Sequence, residues 1–426
     1  MRRKIILPVK GMRDFYPEKQ AFLNWLYQNV KELSENFGYQ EYEGPIIEPL
    51  ELYAAKSGAT LVKKQAFCWR DKSGKKIVLR PELTPTLARM IAQKENQLVF
   101  PLRWFSFGRF FRYEKPQKAR GREFFQWNLD IIGSNSLVAD AEVISISAEF
   151  LKKLAISPKQ VKIKINDRQI LFRFLQEIKI RVKKFLPLVR IIDKNDKVKQ
   201  KEFLMLKEIG LNQQQIESLE KFLNNKTPPK TANRLQQLMT ILKTMNIAEY
   251  VEYDPRIVRG LDYYTSTVFE AWAIGQNLRA LWGGGRYDNL LAAVGSKKTI
   301  PGVGFAMGDM VIEELLKSLK KYPSCNPLPS QVLVTVFSPK FFDNSAKIAD
   351  LLRKNNIKTE LFLEEKKIDK QLKYADRQKI PWVIILGPEE VKENLVVLKD
   401  MSQKTQARLT LKKAIEKIVA KIAKKA

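Results

Sequence analysis

Arg112 and Glu114 stand two residues apart at the end of an aromatic-rich segment that reads as an extended strand. Residues two apart in a strand face the same side. A guanidinium beside a carboxylate is either a cross-strand ion pair or a pair able to meet a phosphate and a base amine. A second unusual group is Arg259-Gly260-Leu261-Asp262-Tyr263-Tyr264, set in an otherwise apolar, strand-like region. A core strand tolerates such side chains only where their polar ends find partners. Glycines gather at 283–285 and at Gly302, Gly304 and Gly308. They permit close backbone approach to a ligand. Neither run matches a phosphate loop or a dinucleotide fingerprint, and tight turns are their simplest reading.

The absences narrow the chemistry further. The chain has no histidine, which removes Ser-His-Asp and Cys-His nucleophilic sites, histidine general bases and most transition-metal sites. Its two cysteines, Cys68 and Cys325, are far apart and define neither a disulfide framework nor a zinc knuckle; no metal-ligating residues are expected. Carboxylates, arginines, tyrosines, backbone amides and an ion such as Mg²⁺ remain. That set suits positioning and charge stabilisation, as in phosphoryl or nucleotidyl transfer. Lysine plus arginine is 76 against 46 aspartate plus glutamate, a net charge of +30. Such a charge invites a polyanion, most simply nucleic acid, unless a lysine-rich composition merely solvates the surface.

The elements that must position these residues can be read from periodicity. Residues 18–37 show Phe22, Leu23, Leu26, Val30 and Leu33 at helical spacing, followed by an extended stretch with Pro45 and Pro49. Another helix is expected over 83–96. Segments 101–114 and 123–133 form a long hairpin whose tip, 115–122, is polar and basic. A helix at 137–155 and a strand at 161–166 precede segment 168–245, which holds 17 basic and 7 acidic residues with helical patterning. Strand composition resumes at 248–282. A helix at 287–294 and a glycine-rich turn at 301–308 then lead into a helix ending near 320.

Residues 321–330, with three prolines, read as a linker. Beyond it strands alternate with helices (VLVTVF, a helix around 341–355, TELFL, a helix at 367–379, WVIIL, NLVVL, a helix at 410–424), the pattern of a small α/β domain. The domains expected are therefore 1–167, a helical insertion at 168–245, 246–322, and 330–426. A chain of 426 residues with 45% apolar and 29% charged residues fits two or three soluble domains. No apolar run approaches the ~20 residues of a membrane span, and the basic N-terminus has too short an apolar stretch for a signal peptide. A cytoplasmic protein with no membrane partner is expected.

Several motifs together resemble those of the histidyl-tRNA synthetases, members of the class II aminoacyl-tRNA synthetases. Arg259 to Tyr264 with Thr265, then Gly284-Gly285-Arg286-Tyr287-Asp288, resemble that family's two signatures. Lys10-Gly11-Met12-Arg13-Asp14 with Pro17 resembles its N-terminal signature. Pro45 sits where class II enzymes carry the motif 1 proline of a dimer interface. Phe111-Arg112-Tyr113-Glu114 through Gln126 resembles motif 2, and Gly302 to Gly308 the start of motif 3. The resemblance implies an α+β fold: a catalytic domain on an antiparallel sheet with a helical insertion, and a C-terminal α/β anticodon-binding domain. It also implies a homodimer, ATP and Mg²⁺, L-histidine, and tRNA(His).

Residue by residue, the resemblance implies that Arg112 meets the α-phosphate and that Arg259 sits between the histidine carboxylate and that phosphate, both in catalytic positions. Glu114 and Phe124 match adenine-contacting positions. Glu82, Thr84 and Gln126 match acceptors for the substrate ammonium. Asp130 and Tyr264 match the groups that read the two imidazole nitrogens, and Tyr287 matches a residue of the same pocket. Lys115, Gln117, Arg120 and Arg122 in the motif 2 loop fit contacts to the tRNA acceptor stem. One position departs: the run Gly308-Asp309-Met310-Val311 puts Val311 where the family's motif 3 arginine stacks on adenine. Either adenine goes without a cation–π partner or another arginine supplies one. The alternative reading is the family's non-catalytic relative, the regulatory subunit of ATP phosphoribosyltransferase. That relative lacks the anticodon-binding domain and departs at the signatures, which are intact here.

Overall fold

The computed structural model describes residues 5–54, 65–194, 205–289, 291–292, 298–325 and 330–423. The chain forms two compact units, one of Met1–Asp14 with Phe22–Pro323, the other of Phe15–Ala21 with Ser324–Ala426. Among the described residues no helix is long and apolar enough to cross a membrane.

The larger unit is built on an eight-stranded sheet. Its strands are β1 (Gln40–Glu41), β5 (Leu102–Phe111), β6 (Glu123–Ile132), β7 (Val161–Asp167), β8 (Val251–Tyr253), β9 (Thr267–Ala273), β10 (Trp282–Arg286) and β11 (Gly302–Gly308). The intervening β2 (Ile47–Pro49), β3 (Phe67–Arg70) and β4 (Lys76–Leu79) make a separate three-stranded sheet. The large sheet runs β1-β5-β6-β11-β10-β9-β7-β8. Pairing is antiparallel from β5 to β7 and parallel only at the two edges.

The expected hairpin is β5–β6, paired from Leu102↔Ile132 to Phe111↔Glu123. Every second residue of β6 faces the helix Leu137–Lys153, whose Phe150 ring lies 5.5 Å from that of Trp127. That face is Trp127, Leu129 and Ile131, all buried. The opposite face carries Gln126, Asn128 and Asp130, also buried. A strand covered on both faces should read apolar throughout. Polar residues at alternate positions therefore mark the face with another task.

The glycine runs depart from the sequence expectation. Gly283–Gly285 lie inside β10, and the expected turn at 301–308 is strand β11, which feeds the helix Asp309–Ser318. Conversely, Arg259–Tyr264 is a loop between β8 and β9 rather than part of a strand. The exchange has one physical cause: the loop's large side chains lie on strands that have no Cβ to obstruct them. Tyr287–Asn289 are not helical, and residues 290 and 293–297 of the expected 287–294 helix lie outside the described residues.

Helices Arg168–Glu177, Phe185–Lys194 and Gln213–Asn224 enclose a core of Leu171, Leu175, Leu188, Ile192, Ile216, Leu219 and Leu223. The helix Asn233–Thr244 packs instead on Leu137–Lys153. Residues 195–204 of this segment lie outside the described residues.

The smaller unit is a five-stranded sheet, ordered β13 (Thr359–Leu361), β12 (Val332–Val334), β14 (Trp382–Ile385), β15 (Val396–Asp400), β16 (Thr405–Leu409). The first three strands are parallel and the last two antiparallel. Helices Phe342–Lys354, Ile368–Arg377 and Leu411–Ala423 match the expected alternation. Strand β16 and the short helix Pro388–Glu393 were not expected from sequence.

Candidate active site

The polar face of β6 is the wall of a cavity of about 1020 Å³, open mouth included. Antiparallel register places Asp130 opposite Gly304 and Gln126 opposite Gly308 on β11, and Gly304 opposite Gly285 on β10. These glycines form the floor. A Cβ on Gly304 would collide with Asp130 Oδ1, one on Gly302 would stand 2.5 Å from the Tyr287 ring, and one on Gly285 2.8 Å from that of Tyr264. The backbone is hollowed out where Asp130, Tyr264 and Tyr287 need space.

Asp130 is buried and accepts a short hydrogen bond from the Tyr287 hydroxyl through Oδ1. Its Oδ2 has no hydrogen bond among the described residues. Burial pushes the carboxyl up to about 7, and the Tyr287 hydrogen bond limits the rise. Tyr263 stands over this end, 4.8 Å from the Tyr264 ring and 6.0 Å from the Tyr287 ring, and its hydroxyl donates to Glu82 Oε2 at 3.4 Å. Gln126 also lines the cavity, and its Oε1 is buried without a hydrogen-bond partner. A buried acceptor left unpaired costs about 1–3 kcal/mol, which an incoming N–H would recover.

The other end is cationic. Arg259 adopts a positive φ of 53°, which suits few non-glycine residues. The loop thereby lays its guanidinium over Gly283, where a Cβ would stand 2.5 Å from Nη1. There Arg259 pairs with Glu270, which β9 presents opposite Gly283. Burial opposes the arginine's charge, but the Glu270 carboxylate outweighs it and holds the guanidinium protonated. Arg259 Nε remains buried and unpartnered. Arg112 donates to the Pro81 carbonyl at 2.9 Å and lies 5.3 Å from the Phe124 ring centroid. Arg279 lines the same end, as do Glu114, Arg120, Met310 and Val311.

The loop that carries Arg259 is tied down from below. Arg168 donates to the carbonyls of Leu261 at 3.0 Å and Tyr264 at 2.8 Å, and Asn166 to that of Ile257 at 3.0 Å. Thr265 Oγ1 donates to Asp288 at 2.6 Å, joining the two signature segments. Arg286 does not face the cavity chemistry: it is buried on Asp140 and donates to the Ser134 carbonyl at 2.8 Å. Arg13 of the N-terminal motif pairs with Asp309 at 2.8 Å, which fixes the start of the helix after β11.

The cavity brings together eleven expected residues: Glu82, Thr84, Arg112, Glu114, Arg120, Phe124, Gln126, Asp130, Arg259, Tyr264 and Tyr287. Asp130 and Tyr264 are not hydrogen-bonded to each other; the partner of Asp130 is Tyr287. Of the loop residues, Lys115 and Gln117 are exposed, whereas Arg120 pairs with Glu114 and Arg122 stacks 4.0 Å from the Tyr113 ring centroid. Asn128, Glu270 and Arg279 were not singled out from sequence, and Tyr263 was noted there only as part of the Arg259–Tyr264 group, with no role. Period-two reading from Gln126 and Asp130 would have found Asn128; Arg279 belongs to no motif. Among the described residues no group of three acidic, cysteine or histidine side chains could hold a metal.

An antiparallel sheet carrying an arginine-lined cavity across a long hairpin, with a separate mixed α/β unit behind it in sequence, is the architecture of a class II aminoacyl-tRNA synthetase. The family model described as histidyl-tRNA synthetase matches residues 11–310, and that of an anticodon-binding domain matches residues 331–421. The chain belongs to the histidyl-tRNA synthetase family. It is 35% identical to the histidine–tRNA ligase of Leptospira biflexa, covering 97% of this chain and 98% of that one. It is 34% identical to that of Pyrococcus furiosus, over 96% and 97%. The crystal structure of histidyl-tRNA synthetase from Nostoc sp. PCC 7120 superposes with a TM-score of 0.82 at 25% identity, over 98% of this chain and all of that one.

Proposed function

We propose that the protein is a histidine–tRNA ligase, which joins L-histidine to the α-phosphate of ATP with release of pyrophosphate, then passes the histidyl group to the 3′ end of tRNA(His). The observation that carries this is one cavity with a buried acceptor end, Asp130 with Tyr287, and a guanidinium end, Arg112 with Arg259. The first step brings two anions together, so cations must bridge them. In this reading Arg259 meets the carboxylate and Arg112 the phosphate. Gln126 Oε1, Glu82 and Thr84 offer acceptors to the ammonium. Asp130 Oδ2 accepts the ring N–H, and the Tyr264 hydroxyl meets the other nitrogen. Phe124 and Glu114 face the adenine, Glu114 once Arg120 releases it.

Mg²⁺ enters with the triphosphate, because the described cavity carboxylates build no cage of their own. Lys115, Gln117, Arg120 and Arg122 face the acceptor stem. We further propose the catalytic domain as 1–167 and 246–322, the insertion as 168–245 and the anticodon-binding domain as 330–426. A homodimer through the region of Pro45 and a cytoplasmic location complete the reading. The unit after residue 323 and the Arg259–Tyr264 loop disfavour a role as regulatory subunit of ATP phosphoribosyltransferase. Histidine-dependent ATP–pyrophosphate exchange tests it: exchange with histidine and not with other amino acids is expected, and its absence would overturn the reading.

A further inference from the structure

Four arginines line the cavity, Arg112, Arg120, Arg259 and Arg279. Three are accounted for. Arg120 pairs with Glu114, Arg259 with Glu270, and Arg112 holds the Pro81 carbonyl and the face of Phe124. Arg279 has no hydrogen bond and no ion pair among the described residues. It precedes β10 by three residues, on the stretch 277–281 that leads into the glycine strand. Part of the side chain is exposed at the cavity mouth. Its guanidinium is nonetheless crowded: the cavity walls, then Arg120 and Arg112, push its pKa below the usual arginine range.

A concave surface that gathers like charges and leaves one unpaired is stabilised by a polyanion. Val311, on the opposite side of the motif sequence, brings an aliphatic side chain to the same cavity and no charge. We propose that Arg279 is a cation for the β- and γ-phosphates of ATP, and for the departing pyrophosphate, and not a substitute for the adenine-stacking arginine missing at position 311. Arg279 then holds the leaving group while Arg112 and Arg259 hold the reacting centre. Adenine is the less suitable target: Glu114 also acts on Arg279, but its nearest charges, Arg120 and Arg112, are cations that a polyanion neutralises and a neutral base does not. The inference rests on the ligase reading for its identification of ATP.

Direct binding separates the two. Titration calorimetry with ATP, AMP and inorganic pyrophosphate needs no turnover, so it reports on Arg279 whether or not the exchange assay supports the ligase reading. Arg279→Ala should weaken ATP and pyrophosphate by ~10-fold or more, the usual scale for removing a charge-assisted hydrogen bond to phosphate, and leave AMP within about twofold. Arg279→Lys should recover much of the loss, since an ammonium serves a phosphate as a point charge. Histidine-dependent exchange should show the same split, with KM for ATP raised and KM for histidine unchanged. Equal weakening of AMP and ATP would overturn the proposal in favour of adenine stacking. Unchanged ATP affinity in a folded Arg279→Ala protein would overturn it outright.

Discussion

Asp130 and Arg259 both line the cavity, and burial opposes the charge of each; for Arg259 the Glu270 carboxylate outweighs it. Asp130, at about 7 in the folded protein, lies well above the ordinary aspartate value of ~3.9. The folded chain therefore holds a proton that the unfolded chain has released between those values. The stability this adds is complete below the unfolded value and is lost as pH rises through about 7. Asp130→Asn should consequently melt higher than the wild type at pH 8 and no higher at pH 4, measured without ligand. The same variant should raise KM for histidine by at least ~10-fold, because the ring N–H loses its anionic acceptor. Comparing the two proteins cancels the substrate's own titration: only the wild type should gain histidine affinity from this carboxyl as pH rises toward 7.5. Tyr287→Phe removes the hydrogen bond that lowers the Asp130 pKa, so the step should move to higher pH. A step at the same pH in Asp130→Asn would assign it elsewhere. Arg259→Ala should cost ~10²–10³ in exchange rate, and it also strands a buried Glu270. Arg259→Ala with Glu270→Gln should recover the melting temperature but not the rate. Recovery of both would make the arginine structural. Asp130 and Arg259 were legible in the sequence because motifs carried them; Arg279 was not, since a single arginine outside any motif has no sequence signal until the fold closes a cavity around it.

The elements were readable to the degree that apolar periodicity governed them. The helix Pro17–Asn36 and the β5–β6 hairpin follow from their burial patterns. Strand β16, Thr405–Leu409, has no buried residue and pairs on one side only, so it shows no alternation to detect. The glycine strands β10 and β11 failed as sequence signals for another reason. Glycine weakens a strand by entropy and offers no side chain to pack, so its presence there reports on the side chains laid across it. This makes the floor sensitive at chosen points. A Cβ at Gly304 meets Asp130 Oδ1 and, at 2.6 Å, the Leu129 carbonyl, whereas at Gly308 the nearest atom is 4.0 Å away. Neither has a positive φ. Gly304→Ala should therefore lower stability by ~1–3 kcal/mol, the usual cost of overpacking, and Gly308→Ala should leave the melting temperature unchanged. Equal effects would mean that β11 shifts freely and does not fix Asp130.

At the scale of the whole molecule, two cores and one charge imbalance remain to be joined to function. The smaller unit closes on its own residues, from Val332 and Val334 through Trp382, Ile384 and Leu398 to Ala414 and Ile418. The cavity draws every lining residue from positions 82–311. Deleting 331–426 should therefore leave adenylate formation within about an order of magnitude while reducing tRNA charging far more, because only the second step needs the tRNA held at a distance from the site. The net charge of +30 belongs to the same question. Exposed lysines contribute affinity for phosphates through counterion release, so tRNA binding should weaken steeply with salt. If the lysines of the last helix, among them Lys412, Lys413 and Lys417, touch the nucleic acid, replacing them should flatten the log–log salt slope by about one unit for each phosphate no longer neutralised. Histidine-dependent exchange, in which no tRNA takes part, should keep its salt dependence in the same variants. An unchanged slope for tRNA binding would mean that these lysines solvate the surface and that the tRNA is held elsewhere. A deletion that abolished exchange and charging alike would make the smaller unit a support for the catalytic fold rather than a binding domain.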